Sequence, residues 1–288
     1  MVLRSVVGEK PTVSFLARHE FLIRRAHSLS GLIPIGAYMV VHLVTNASVL
    51  AGPEVFQKNV YSIHSVGPLL PLVEWTFIFI PILFHGIIGL VIIAGGLPNT
   101  GDYPYSGNVR YSLQRASGII AFLFIMGHVF HMHGWFHGEW WLKSVADPLG
   151  GAEFRAYNAA STASYALRSR IVQALYAIGT TACVFHLGNG LWTMGITWGV
   201  WTTPKAQRRA GWLCGFIGVA TLVVGLSALF GMVNVNKQEA VRNEDQMYSG
   251  RRELLEVPDS PHKRLSAEER REILSEASDE TKVVDESP

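Results

Sequence analysis

Apolar residues dominate five long stretches of the chain, and charged residues collect between and after them. About 20 apolar residues cross roughly 30 Å of hydrocarbon as a helix. The stretches from about Leu29 to Leu50, Leu70 to Gly96, Leu113 to Trp135, Ile171 to Trp192 and Gly211 to Val233 meet that length. Pro34 and Pro81 fall inside spans, where neighbouring helices can satisfy the freed backbone groups. The pattern predicts an all-α integral membrane protein. A polar segment over residues 1–28 leads into a five-helix domain over 29–233. A charged tail over 234–288 follows, partly helical or disordered.

Four spans each carry one deep histidine: His42, His85, His128 and His186. An ionisable side chain inside a span is a functional-site candidate. At 1.5 Å per residue, position along a span converts to depth. His42 lies about 13 residues, roughly 20 Å, into the first span, and His128 about as deep into the third. His85 and His186 lie comparably deep in spans that run the other way. Two layers follow, His42 with His128 and His85 with His186. Two imidazoles facing across a porphyrin fill both axial positions, which suits electron transfer. Glycines beside the histidines (Gly86, Gly89, Gly127, Gly188, Gly190) would let a flat macrocycle approach. His131 follows His128 on nearly the same face and competes as a ligand. His131, His133 and His137 read as interface or loop residues, His27 and His64 as span ends, and His19 and His262 as polar flanks.

Lys and Arg near span ends set orientation. Arg18, Arg24, Arg25, Arg110, Arg115, Lys205, Arg208 and Arg209 favour one side, which places the N-terminus inside and the C-terminus outside. Lys143, Arg155, Arg168 and Arg170 weigh the other way. The His85/His186 layer is then the inner one.

Composition narrows the alternatives. The net charge of +2 and the lack of a basic aromatic patch give no sign of nucleic-acid binding. Cys183 and Cys214 have no partner spacing, and no Cys-x-x-Cys-His marks covalent haem attachment. Half of the charged residues follow Asn236. There, Ser266 and Glu269 form a capping-box pattern. The tail reads as a solvated helix with a disordered end, or as a docking segment for a partner.

Local words carry a family resemblance. Arg24-Arg25-Ala26-His27-Ser28-Leu29 precedes Gly31, Pro34 and Gly36, then His42-Leu43-Val44 and Asn46. Glu74 and Pro81 precede His85, and Leu113-Gln114-Arg115-Ala116-Ser117-Gly118 precedes His128-Val129. Phe185-His186-Leu187-Gly188-Asn189-Gly190-Leu191-Trp192 is the most specific, followed by Thr197-Trp198-Gly199 and Thr203-Pro204. Over about residues 20–233 the chain resembles the cytochrome b membrane anchor of succinate dehydrogenase and fumarate reductase, in its single-polypeptide, five-helix, di-haem form.

The resemblance implies two haem b groups, held by His85 and His186 near the soluble subunits and by His42 and His128 near the opposite surface. It implies partners: a flavoprotein with covalent FAD, which holds the succinate/fumarate site, and an iron–sulfur protein. The quinone would be menaquinone and the site a bacterial cytoplasmic membrane. A higher oligomer of the complex stays open. No catalytic residue is assigned to this chain. Arg24, Arg25, Ser28, Arg115 and Ser117 are candidate propionate contacts, though arginines there also anchor a span, and serines also cap helices. Glu74 and His64 are candidate quinone contacts. Some fumarate-reducing relatives carry a glutamate two residues before the last haem histidine, linked to proton movement. Val184 stands there in this chain, which argues against that route. Two other readings stay open: the anchor of a different quinone-linked di-haem dehydrogenase, and a proton-coupled transporter using buried histidines. Near-absence of acidic residues at mid-depth disfavours the second.

Overall fold

The computed structural model describes residues 18–96, 100–254, 256 and 263–275, all helical or connecting segments. His262 and the two ends of the chain lie outside the described residues. Among the described residues, five helices are long and apolar enough to cross a membrane. They are α1 (Glu20–Ala51), α3 (Gly67–Ala94), α4 (Ser106–His133), α6 (Arg170–Thr197) and α7 (Pro204–Val233). Shorter helices α2 (Pro53–His64), α5 (Ala159–Ala166) and α8 (Lys237–Glu253) lie between and after them. The membrane helices carry large exposed side chains all along their outer faces, such as Val41, Ile80, Leu123, Ile178 and Phe216. Such a surface suits lipid rather than water.

α1, α4 and α7 begin upstream of the apolar stretches predicted for them. Hydropathy detects only the part of a helix that sits in hydrocarbon, and polar turns extend beyond it. His27 therefore lies within α1, in the turns that precede its apolar stretch.

The four histidine-bearing helices form a ring in the order α1, α3, α4, α6. Neighbours run antiparallel, so diagonal partners run parallel. That is why equal residue counts bring diagonal histidines to equal height. α7, which has no histidine, packs outside against α6 and α1. Gly188 allows its close approach: a Cβ there would lie 3.4 Å from the Cys214 carbonyl.

Pro34 and Pro81 each remove a backbone donor. The helices respond with wide π-helical turns at Gly31–Gly36 and Trp75–Phe79, and these two turns pack against each other. Such bulges recur at functional sites.

Where α1 and α7 end, the chain builds a small cap. Its core joins Phe56, Val60 and Tyr61 of α2 to Ala159, Ala160 and Ala163 of α5, and to Ala240 and Tyr248 of α8. Glu244 of α8 is fully buried and accepts from the N–H groups of Ala160 and Ser161 at 2.7 and 3.0 Å, and from the Ser161 hydroxyl at 2.5 Å. It thereby satisfies donors that the start of α5 leaves free. The described part of the tail is thus docked, not a free solvated helix. Ser266 and Glu269 make their reciprocal capping bonds at 3.1 and 2.7 Å.

Candidate functional site

His85 and His186 face each other across the ring with centroids 6.0 Å apart. His42 and His128 do so at 5.9 Å, further along α1 and α4. Each pair spans a diagonal of the bundle, and the two pairs form separate levels.

The first level has a doubled architecture. His85 Nδ1 lies 2.9 Å from the His27 carbonyl and 3.4 Å from the Ser30 hydroxyl. His186 Nδ1 lies 3.0 Å from the Gln114 carbonyl and 3.4 Å from the Ser117 hydroxyl. A glycine follows each serine. A Cβ on Gly31 would meet His85 Cε1 at 2.3 Å, and one on Gly118 would meet His186 Cε1 at 2.7 Å. So x-x-x-Ser-Gly on α1 and on α4 forms the same seat for an imidazole from the next helix. A carbonyl at Nδ1 calls for a proton there and leaves Nε2 as the lone-pair nitrogen. This repeat escapes sequence reading, because only the histidines recur visibly. The glycines that crowd the imidazoles are Gly31 and Gly118. Of those chosen by sequence proximity, Gly86 makes room for Phe122, and Gly127 faces open space.

A cavity of about 700 Å³ opens beside this level, lined by His27, His85 and His186 among mostly apolar groups. Arg24, Arg25, Ser28 and Arg115 line it, and so does Arg110. Arg115 donates through Nη2 to the carbonyls of Ile93 and Gly96, while its buried Nη1 has no partner among the described residues. Arg110 is bonded to Asn189 and lies 3.7 Å over the Trp192 ring. Arg25 lies 5.1 Å from the rings of both Phe21 and Trp198. Ser117 is not at the cavity wall; it belongs to the seat of His186. His27 stacks on His85 with centroids 4.0 Å apart.

At the second level the histidines meet side chains instead of carbonyls. Asn46 Nδ2 lies 3.1 Å from His42 Nε2, and the Tyr176 hydroxyl 3.2 Å from His128 Nδ1. His131, a rival ligand by sequence, is bonded to that same hydroxyl. The His133 and His137 rings lie 4.2 Å apart, tilted at 54° to each other. His64 sits beside Lys263 of the tail at 3.4 Å, and burial first, then Lys263 and His137, lower its pKa to about 4. Glu74 is half-buried immediately before the Trp75–Phe79 turn.

The succinate dehydrogenase cytochrome b558 subunit of Bacillus subtilis (strain 168) is 34% identical over 214 residues, covering 74% of this chain and 98% of that protein. The chain belongs to the succinate dehydrogenase cytochrome b subunit family. It is a multi-pass, all-α membrane member of that family. No family model matches the chain.

Proposed function

We propose that the chain is the di-haem membrane anchor of a succinate:quinone oxidoreductase in a bacterial cytoplasmic membrane. The single observation that carries this reading is the pair of facing histidine couples at two levels of one helix ring. Each couple brings imidazoles from diagonal helices to within about 6 Å of one another, and these four residues would hold the two haems.

The residues at the first level fit haem b well. The carbonyls at Nδ1 leave Nε2 as the lone-pair nitrogen of both histidines, that of His186 with the Gln114 amide 3.5 Å away; the cavity is apolar and of suitable size, and Nη1 of Arg115, without a partner among the described residues, suits an anionic propionate. Arg24, Arg25, Arg110 and Ser28 line the same cavity. At the second level the Asn46 amide must release Nε2 of His42 for iron to take that lone pair. Bound haems would carry single electrons between the two faces of the membrane. The chain's own part is to fix imidazole tautomers, exclude water and neutralise propionates. With both axial positions taken by histidine, electron transfer is favoured over oxygen chemistry.

The start of α1 is assigned to the cytoplasmic side and the tail to the outside, following the distribution of Lys and Arg. A flavoprotein and an iron–sulfur subunit would then dock beside the His85/His186 level. Glu74 and His64 are assigned to the outer quinone region, with menaquinone as the quinone. The name of the Bacillus relative supports the succinate dehydrogenase and cytochrome b parts of this reading.

The test is redox-titrated difference spectroscopy of the purified complex. Two b-type components are expected. His85→Ala and His186→Ala should remove one, and His42→Ala and His128→Ala the other. Absence of haem bands, or loss of different components within a couple, overturns the assignment.

A further inference from the structure

Tyr176 of α6 stands between two histidines of α4. Its hydroxyl is 3.2 Å from His128 Nδ1 and 2.8 Å from His131 Nδ1. The ring is tightly seated. Phe124 meets it edge-on at 5.4 Å, and a Cβ on Gly179 would strike the Phe124 ring at 2.1 Å. Tyr176 also packs against the core of the cap.

One hydroxyl proton can serve only one of the two nitrogens. The inference rests on the reading of His128 as an axial ligand, and that reading fixes the order. His128 gives its Nε2 lone pair to iron, so its Nδ1 carries a proton and donates to Tyr176 Oη. The tyrosine O–H then donates to His131 Nδ1, and His131 holds its own proton on Nε2. We infer that Tyr176 is the positioning residue of the second level, setting the tautomer and ring orientation of His128. Through His131 it is also the group that tunes that histidine as a ligand. An N–H donated to a good acceptor raises the basicity of the imidazole and favours oxidised iron.

The two levels differ here in a useful way. His85 and His186 donate to main-chain carbonyls, which no substitution deletes. The His128 acceptor is a side chain, so its effect can be removed alone.

The experiment is Tyr176→Phe in the purified complex, with redox titration and low-temperature EPR of each haem. The phenyl ring keeps the packing and loses the acceptor. The midpoint potential of the His42/His128 haem should rise and its EPR signal should shift, with the other haem unmoved. His131→Leu, which leaves the hydroxyl but ends its onward bond, should move the same haem the same way by less. Unchanged potentials with both haems present, or a shift of the His85/His186 haem, overturn the inference while leaving the haem reading intact. If Tyr176→Phe fails to assemble, His131→Leu decides by the same criterion. Wild-type complex without haem bands would remove the haem reading itself.

Discussion

Gly31 and His85 come from different helices, yet the imidazole lies so close that a single added carbon at residue 31 would sit 2.3 Å from its Cε1. Gly118 stands in the same relation to His186. Real carbon contacts do not occur at such distances, so alanine at either position must push its histidine away. Gly31→Ala and Gly118→Ala should each lose the spectral component assigned to the His85/His186 couple and keep the other. Gly127→Ala, which faces open space, is the control and should leave both. Retention of both components in the two seat variants would show that the imidazoles do not need these positions.

Arg115 offers a second test of the same level. Its Nη1 is buried with no partner among the described residues, beside the cavity that His85 and His186 share. Removing a cation near haem favours the oxidised form, which carries more positive charge. Arg115→Gln should therefore lower the midpoint potential of that haem, and Arg115→Lys should restore much of it. A redox titration that finds equal potentials in wild type and Arg115→Gln would place the propionates elsewhere.

The spans and the level of each histidine were legible in sequence for a simple reason. Hydropathy marks hydrocarbon length, and a fixed rise per residue turns sequence position into height. What surrounds each imidazole was not legible, because it comes from another helix. Ser30 and Ser117 carry no sign of their partners, and His131 seemed a rival ligand until Tyr176 joined it to His128. The docked tail was missed on different grounds. Its buried contacts include Glu244, Asn158, Ser161 and Gln57, which any hydropathy rule assigns to solvent.

The tail also carries a local test. The Ser266 hydroxyl accepts from the Glu269 N–H, and the Glu269 carboxylate also bonds Arg155 at 2.6 Å. Loss of an N-cap side chain costs about 1 kcal/mol. Ser266→Ala should raise hydrogen exchange across residues 267–275 by roughly fivefold, a factor that corresponds to that cost. An unchanged exchange rate there would mean that the Arg155 contact alone secures the segment.

Glu244 makes docking of the cap depend on pH. Burial raises its pKa to about 7 from the ordinary 4.5, against the pull of the Ser161, Ala160 and Asn158 donors. A carboxyl whose folded pKa is raised stabilises the folded state below its unfolded pKa, and that contribution is lost as pH climbs through the folded value. The shift amounts to about 3 kcal/mol at most. Glu153, also raised by burial, acts in the same direction. His64 acts oppositely, since a lowered histidine pKa adds stability as pH rises from about 4 to 6.5. Above pH 6.5 the histidine contribution is complete and the carboxyl trend stands alone. Limited proteolysis of the tail in native membranes should therefore accelerate as pH rises from 6.5 through about 7 and level off above that, after correction for the protease's own pH profile. Glu244→Gln keeps an acceptor for the α5 donors and cannot ionise, so most of that acceleration should disappear. Equal slopes in wild type and variant would assign the pH dependence to a group other than Glu244.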